Sequence, residues 1–146
     1  MSLTKSRGEA GFTLVELAVV IVIIGILAAF GVPRFRDAVE RSKAGEAFNF
    51  LAAVRSAQER YHGRQSTYAD AMGKLDIKMS ALKYFTVGSI SAGTSGSLED
   101  SWSLTLTRAG AAAGYGAYTV TFTEEGFDGL NSTIATLDSI NPMQSG

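Results

Sequence analysis

Glu16 is the one ionisable side chain in an otherwise apolar stretch, residues 12–32, reading FTLVELAVVIVIIGILAAFGV between Gly11 and Pro33. A carboxylate at the middle of a bilayer costs roughly 2.5–3.5 kcal/mol, so it needs a partner or a purpose there. One purpose is bland: near the start of a helix the backbone dipole favours a negative charge, and the side chain can reach toward headgroups. Elsewhere the chain offers little for chemistry. His62 is the only histidine and there is no cysteine, which excludes Cys/His nucleophiles and thiolate metal sites. Near the end of a helical stretch, His62 reads as a surface residue. Glu99 with Asp100, and Glu124, Glu125 and Asp128, are hard oxygen ligands that lack the alternating spacing of a calcium loop and read as solvated turns. No catalytic residue, metal site or cofactor is expected. The 13 Lys and Arg nearly cancel 14 Asp and Glu, so the balance gives bulk nucleic-acid binding no support.

The element that carries Glu16 is set by length. About 20 apolar residues rising roughly 1.5 Å each match a hydrocarbon core about 30 Å thick. An ordinary secretory signal has a shorter core, of about 7–15 residues, and a small-x-small cleavage site beyond it. Ala28-Ala29-Phe30-Gly31 matches that site poorly, so the run reads as a retained membrane span. Nearby basic residues do not orient it: Lys5 and Arg7 precede the run, while Arg34, Arg36, Arg41 and Lys43 follow it.

Gly11-Phe12-Thr13-Leu14-Val15-Glu16, after a short basic leader and before the apolar run, resembles the N-terminal signature of type IV pilins and type II secretion pseudopilins. The resemblance implies a leader (residues 1–11) removed by a membrane peptidase between Gly11 and Phe12, methylation of the new Phe12 N-terminus, and a cytoplasmic leader side. It implies that Glu16 meets the Phe12 amine of a neighbouring subunit and sets the register of assembly. Opposite charges attract strongly in a medium of low dielectric constant. A glycine at position 11 lets the peptidase approach the scissile bond closely.

Residues 34–62 should continue the helix. Ala44, Ala47, Phe48, Leu51, Val54 and Tyr61 recur at helical spacing, with Arg41, Lys43, Glu46, Arg55 and Glu59 largely off that stripe. Asp37 with Arg41 and Arg55 with Glu59 are spaced as i,i+4 ion pairs, and Gly63 is placed to stop the helix. Within residues 12–33 the weak points are Gly25, Gly31 and Pro33: each glycine costs about 1 kcal/mol relative to alanine, and the proline about 3 kcal/mol. The segment reads either as a static kink or, as the resemblance implies, as one that unwinds when subunits pack. Phe50, off the stripe, is placed to touch a neighbouring helix. Packing accounts for the helix aromatics (Phe12, Phe30, Phe35, Phe48, Phe50 and Tyr61) better than electron conduction.

Residues 63–146 read as a β-sheet head. Thr67–Leu75 suits a short helical turn and Tyr84–Ile90 a first strand. Trp102–Thr107 and Tyr118–Thr123 alternate apolar with Ser or Thr, which buries one face and wets the other. Ser89–Ser101 and Arg108–Ala117 read as mobile loops, Glu124–Gly129 as a turn, and Ile134–Ile140 as an edge strand. The expected class is α+β: a long N-terminal helix laid across three or four antiparallel strands. With no cysteine the head cannot be stapled by a disulfide.

The resemblance then implies a structural subunit of a type IV pilus, not an enzyme, which supports adhesion or twitching motility. Its partners would be other copies of itself, the prepilin peptidase and N-methyltransferase, the membrane before assembly, and an inner-membrane assembly platform. It would lie in the inner membrane first and in an extracellular filament afterwards. A pseudopilin of a secretion system, and a single-pass anchored binding domain that never polymerises, are the alternatives.

Overall fold

A computed structural model describes residues 11–144. The leader, apart from Gly11, lies outside the described residues. The chain comprises two compact units, Met1–Phe35 and Arg36–Gly146. One helix, α1 (Leu14–Gln65), contributes to both. In the first unit α1 presents every side chain to the surroundings, with Phe12 and Leu14 each 84% exposed. It is long and apolar enough to cross a membrane. Gly25, Gly31 and Pro33 all lie within helical backbone in this single copy.

In the second unit α1 becomes amphipathic. Glu40, Ala44, Ala47, Phe48, Leu51, Val54 and Gln58 are buried on one face, at the three- and four-residue spacing that repeats a helix surface. Gly63 does not end the helix, contrary to expectation. The chain leaves it at Ser66, whose positive φ of 58° closes the end, and the Ser66 N–H donates to the His62 carbonyl at 2.8 Å. That is the left-handed cap usually given to glycine.

The sheet is antiparallel with five strands, not three or four: β1 (Phe85–Val87), β2 (Ser91–Ala92), β3 (Trp102–Arg108), β4 (Thr119–Thr123) and β5 (Gly126–Phe127). Its order is β1-β3-β4-β5, and β2 also pairs with β3. The expected first strand is split. Val87 faces Leu106 and Ser91 faces Ser103, so three residues of the edge oppose two of β3, a bulge that bends the edge. Gly88 sits there because an added Cβ would lie 2.8 Å from the Thr105 carbonyl oxygen. The turn at Glu124–Glu125 is a two-residue hairpin, with Thr123 facing Gly126.

Strict alternation in β3 buries Trp102, Leu104, Leu106 and Arg108. Tyr118, Val120 and Phe122 join them in the core with the α1 stripe. Phe48 meets Phe122 edge-on at 5.8 Å between ring centroids, and Phe127 at 5.1 Å. Phe50, expected to face a neighbouring helix, is buried in this same core. The expected edge strand at Ile134–Ile140 is not one. Thr133–Thr136 forms a short 3-10 helix, and Ile134 and Ile140 are fully buried. Apolar residues six apart serve a compact turn as well as a strand; nothing in their spacing told the two apart. The turn expected at Thr67–Leu75 is a 3-10 helix at Met72–Lys74.

Neither expected i,i+4 pair forms. Arg41 donates to the Gln144 carbonyl and Arg55 to the Glu124 carbonyl, at 2.6 and 2.8 Å, while Asp37 accepts from the Tyr115 hydroxyl. These cations reach carbonyls of the sheet end and tail, where charge-assisted bonds are stronger than exposed ion pairs. The segment between α1 and β1 is tied to the helix as well. The buried Gln58 amide donates to the Ala69 carbonyl at 3.0 Å and accepts from the Ala69 N–H at 2.8 Å, and the Glu46 carboxylate accepts from the N–H groups of Lys83 and Tyr84.

Candidate functional site

The start of α1 builds the site from the helix's own needs. The first N–H groups of a helix have no partner within it. Thr13 stands at the N-cap and Glu16 three residues on. The Thr13 hydroxyl accepts from the Glu16 N–H at 3.2 Å, and the Glu16 carboxylate accepts from the Thr13 N–H at 2.8 Å and its hydroxyl at 3.0 Å. This reciprocal pair is a capping box, and the Thr-x-x-Glu spacing is its signal in the sequence. Glu16 is therefore not idle within its own chain: it fixes the helix start two residues after Phe12. One carboxylate oxygen, Oε2, takes both of its bonds.

Gly11 and Phe12 lie exposed before that cap. A Cβ at Gly11, Gly25 or Gly31 would meet nothing of the chain within 4 Å. None of the three glycines is required by the chain's own packing. Chemically, the arrangement is an apolar helix with a capped carboxylate at its tip and an accessible peptide bond just ahead.

The densest polar cluster lies elsewhere, in the second unit, and is a clasp between α1 and the sheet. Arg108, expected to open a loop, instead ends β3 pointing inward at 3% exposure, against a fully buried Glu40. Arg108 Nε and Nη2 meet the two Glu40 oxygens at 2.5 and 3.2 Å, and the Tyr118 hydroxyl donates to Glu40 Oε1 at 2.9 Å. The remaining guanidinium hydrogens go to the carbonyls of Tyr84, Ala109 and Ala111. All five donors are thus used, as a buried guanidinium demands. Burial pushes the Glu40 carboxyl up most strongly of any single influence, but the bonds from Arg108 and Tyr118 and the nearby cationic charge together bring it below its usual range. Burial, then the bond to Glu40, raises the Tyr118 hydroxyl far above its ordinary value. Its one trace in the sequence is indirect: a lone basic residue ending a perfect alternation.

His62, Glu124 and Asp128 have structural partners. His62 stacks on Tyr68 at 4.3 Å and its Nε2 lies 2.9 Å from the Glu99 carbonyl. Glu124 accepts from the Trp102 N–H at 3.1 Å. Asp128 accepts from the Leu130 N–H, the Asn131 N–H and the Asn131 amide. Among the described residues no three acids or histidines gather as a metal site.

The family model described as "Prokaryotic N-terminal methylation motif" matches residues 6–32. Among curated proteins, the chain is 43% identical over 60 residues to the fimbrial protein EcpC of Eikenella corrodens, covering 41% of this chain and 39% of that protein. It is 45% identical over 60 residues to the type IV major pilin protein PilA of Myxococcus xanthus, covering 41% of this chain and 27% of the relative. It is 57% identical over 47 residues to the type IV narrow pilus major component of Thermus thermophilus, covering 32% of this chain and 40% of that one. Each alignment spans well under half of the chain and of the relative.

Proposed function

From an N-terminal segment that matches a methylation motif and is similar to the start of type IV pilins, we propose that this chain is a structural subunit of a surface filament, polymerised through the first part of α1. The observation that carries the reading is the joint occurrence of the methylation motif and a first part of α1, as far as Phe35, whose apolar side chains all stay uncovered in the single copy. In water that surface would be strongly unfavourable. In lipid, and later among the helices of other copies, it is equally well solvated, because lipid tails and packed helices are similarly apolar.

The steps follow from the residues. The membrane holds the apolar run first. The peptidase cleaves between Gly11 and Phe12 and the new N-terminus is methylated. The Phe12 amine then stands four residues before the Glu16 carboxylate, which Thr13 already orients. In the filament that amine meets Glu16 of a neighbouring copy, a short-range attraction that water does not screen. Gly25, Gly31 and Pro33 let the helix between them lose its bonds as copies pack. Their lack of close neighbours within the chain supports that reading, since the chain's own packing does not call for glycine at either position. The names of the relatives, fimbrial protein and pilin, favour a pilus over a secretion pseudopilin.

The test is Glu16→Ala. The expected outcome is a protein that is made, inserted and cut after Gly11 but yields no filaments by electron microscopy. Filaments of normal number and length from that variant would overturn the reading.

A further inference from the structure

The second unit carries a knob and a hollow that do not serve each other. Leu130 is 99% exposed, at the tip of a turn that the Asp128 carboxylate holds through the N–H groups of Leu130 and Asn131 at 3.0 and 3.1 Å. A leucine so presented is unusual only because the turn is fixed: a single exposed apolar residue on a loose loop means little. The hollow lies beside the β1 edge. Phe50, Ile77, Met79, Leu82 and Val87 line a cavity of about 520 Å³, continuous through Phe50, Met79 and Leu82 with a second of about 570 Å³ that Lys78 borders. Met79 and Val87 are each 41% exposed within it.

Charge selects the occupant. Arg108 is the only Lys or Arg after Lys83, and it is buried against Glu40. Residues 84 onward therefore contribute Glu99, Asp100, Glu124, Glu125, Asp128 and Asp138 to the surface and no exposed cation of their own; Arg55 of α1 reaches the Glu124 carbonyl but forms no ion pair with Asp128, whose carboxylate is held by Leu130 and Asn131. The hollow has the opposite rim. Lys78 borders it, the exposed Lys83 follows Leu82 of its lining with its Nζ over the Tyr84 ring, Asp76 is already held by Arg60 and Arg64, and Glu46, the one carboxylate in the lining, accepts from backbone N–H groups. The knob is thus apolar with acidic flanks, and the hollow apolar with basic flanks.

We propose that Leu130 of one copy seats in the Phe50–Ile77–Met79–Leu82–Val87 hollow of the next, with Asp128 and Glu125 facing Lys78 and Lys83. Two different patches of the same chain meet, so the contact is heterologous. Such contacts propagate into helical polymers instead of closing into pairs, and complementary charge fixes their register. The proposal rests on the filament reading above but adds an interface that reading does not require.

The chain has no cysteine, which gives a clean crosslinking test. Cells expressing the full chain with Leu130→Cys and Met79→Cys together are treated with a mild oxidant, and sheared filaments are run on a non-reducing gel. The expected result is a ladder of dimers and higher multimers, absent from filaments carrying either cysteine alone. Filaments that run only as monomers, or stop at dimers, overturn the knob-and-hollow contact and leave the filament reading intact. Absence of filaments from the unaltered chain instead overturns the filament reading. As a second variant, Leu130→Asp should abolish filaments while leaving the processed protein in the membrane. Filaments at the parental yield from it would also overturn the contact.

Discussion

Replacing Arg108 with methionine would strip the Glu40 clasp of its cation while keeping most of the side-chain volume. Glu40 is fully buried and would keep only the Tyr118 hydroxyl and Lys43, whose Nζ lies 3.5 Å away. The carbonyls of Tyr84, Ala109 and Ala111 would lose donors as well. Breaking one side of a buried ion pair costs about 3–5 kcal/mol, because the surviving charge is left without compensation. That is a large part of the roughly 5–15 kcal/mol that holds a domain together. Glu40→Met with Arg108→Met removes both charges, leaving the Tyr118 hydroxyl and the carbonyls to be satisfied, at about 1–3 kcal/mol for such groups. The double variant should therefore be no less stable than the Arg108 variant alone, far from the sum of two single losses. Trp102 is the only tryptophan and is fully buried under β3, so its fluorescence during urea unfolding of the full chain in detergent reports the head directly. A single-variant loss below about 1 kcal/mol, or a double variant as damaged as the two singles added, would refute the clasp.

The same cluster predicts an acid limit. Because the Glu40 carboxyl sits lower in the folded chain than its usual value, its contribution is fully present above the ordinary carboxylate range of about 4.3 and is lost as pH falls through the lowered folded-state value. Stability followed by Trp102 should drop in that acid window, and the double methionine variant should lose part of this dependence. Ser66→Gly should stabilise the head by about 0.5–1 kcal/mol, since relief of a left-handed residue (about 1–2 kcal/mol) exceeds the added entropy of glycine (about 0.5–1 kcal/mol); the urea midpoint measures it. Gly25→Ala with Gly31→Ala meets nothing in the chain and should strengthen the helix by about 1 kcal/mol each. If unwinding accompanies assembly, filament yield falls while the membrane pool of processed protein rises, and an unchanged yield counts against unwinding.

Period and apolarity made much of this molecule legible. The 44–61 stripe and the alternation in β3 each report which side is buried, and each does so in the structure; in β4 the expected wet face fails at Thr121, which is buried where Asn131 and Ser132 bond to it. What stayed hidden was polar and long-range. Glu40 and Arg108 stand 68 residues apart, and a charged residue at the end of a strand looks the same whether it faces water or a carboxylate. Arg41 and Arg55 had plausible partners one turn away, yet the fold offered carbonyls from distant segments. Ser66 took a cap that sequence habit assigns to Gly63. The capping box at Thr13 and Glu16 is different, being local and readable from its spacing; a carboxylate's cost in a membrane points outward to other partners and masks that local role.

The central claim is that the apolar helix is trimmed at Gly11 and then buried among copies of itself. Intact mass of the protein recovered from filaments sheared off the cell surface tests it most directly. A chain beginning at methylated Phe12 is the predicted result; a chain still carrying residues 1–11, or no surface-borne protein at all, would contradict it.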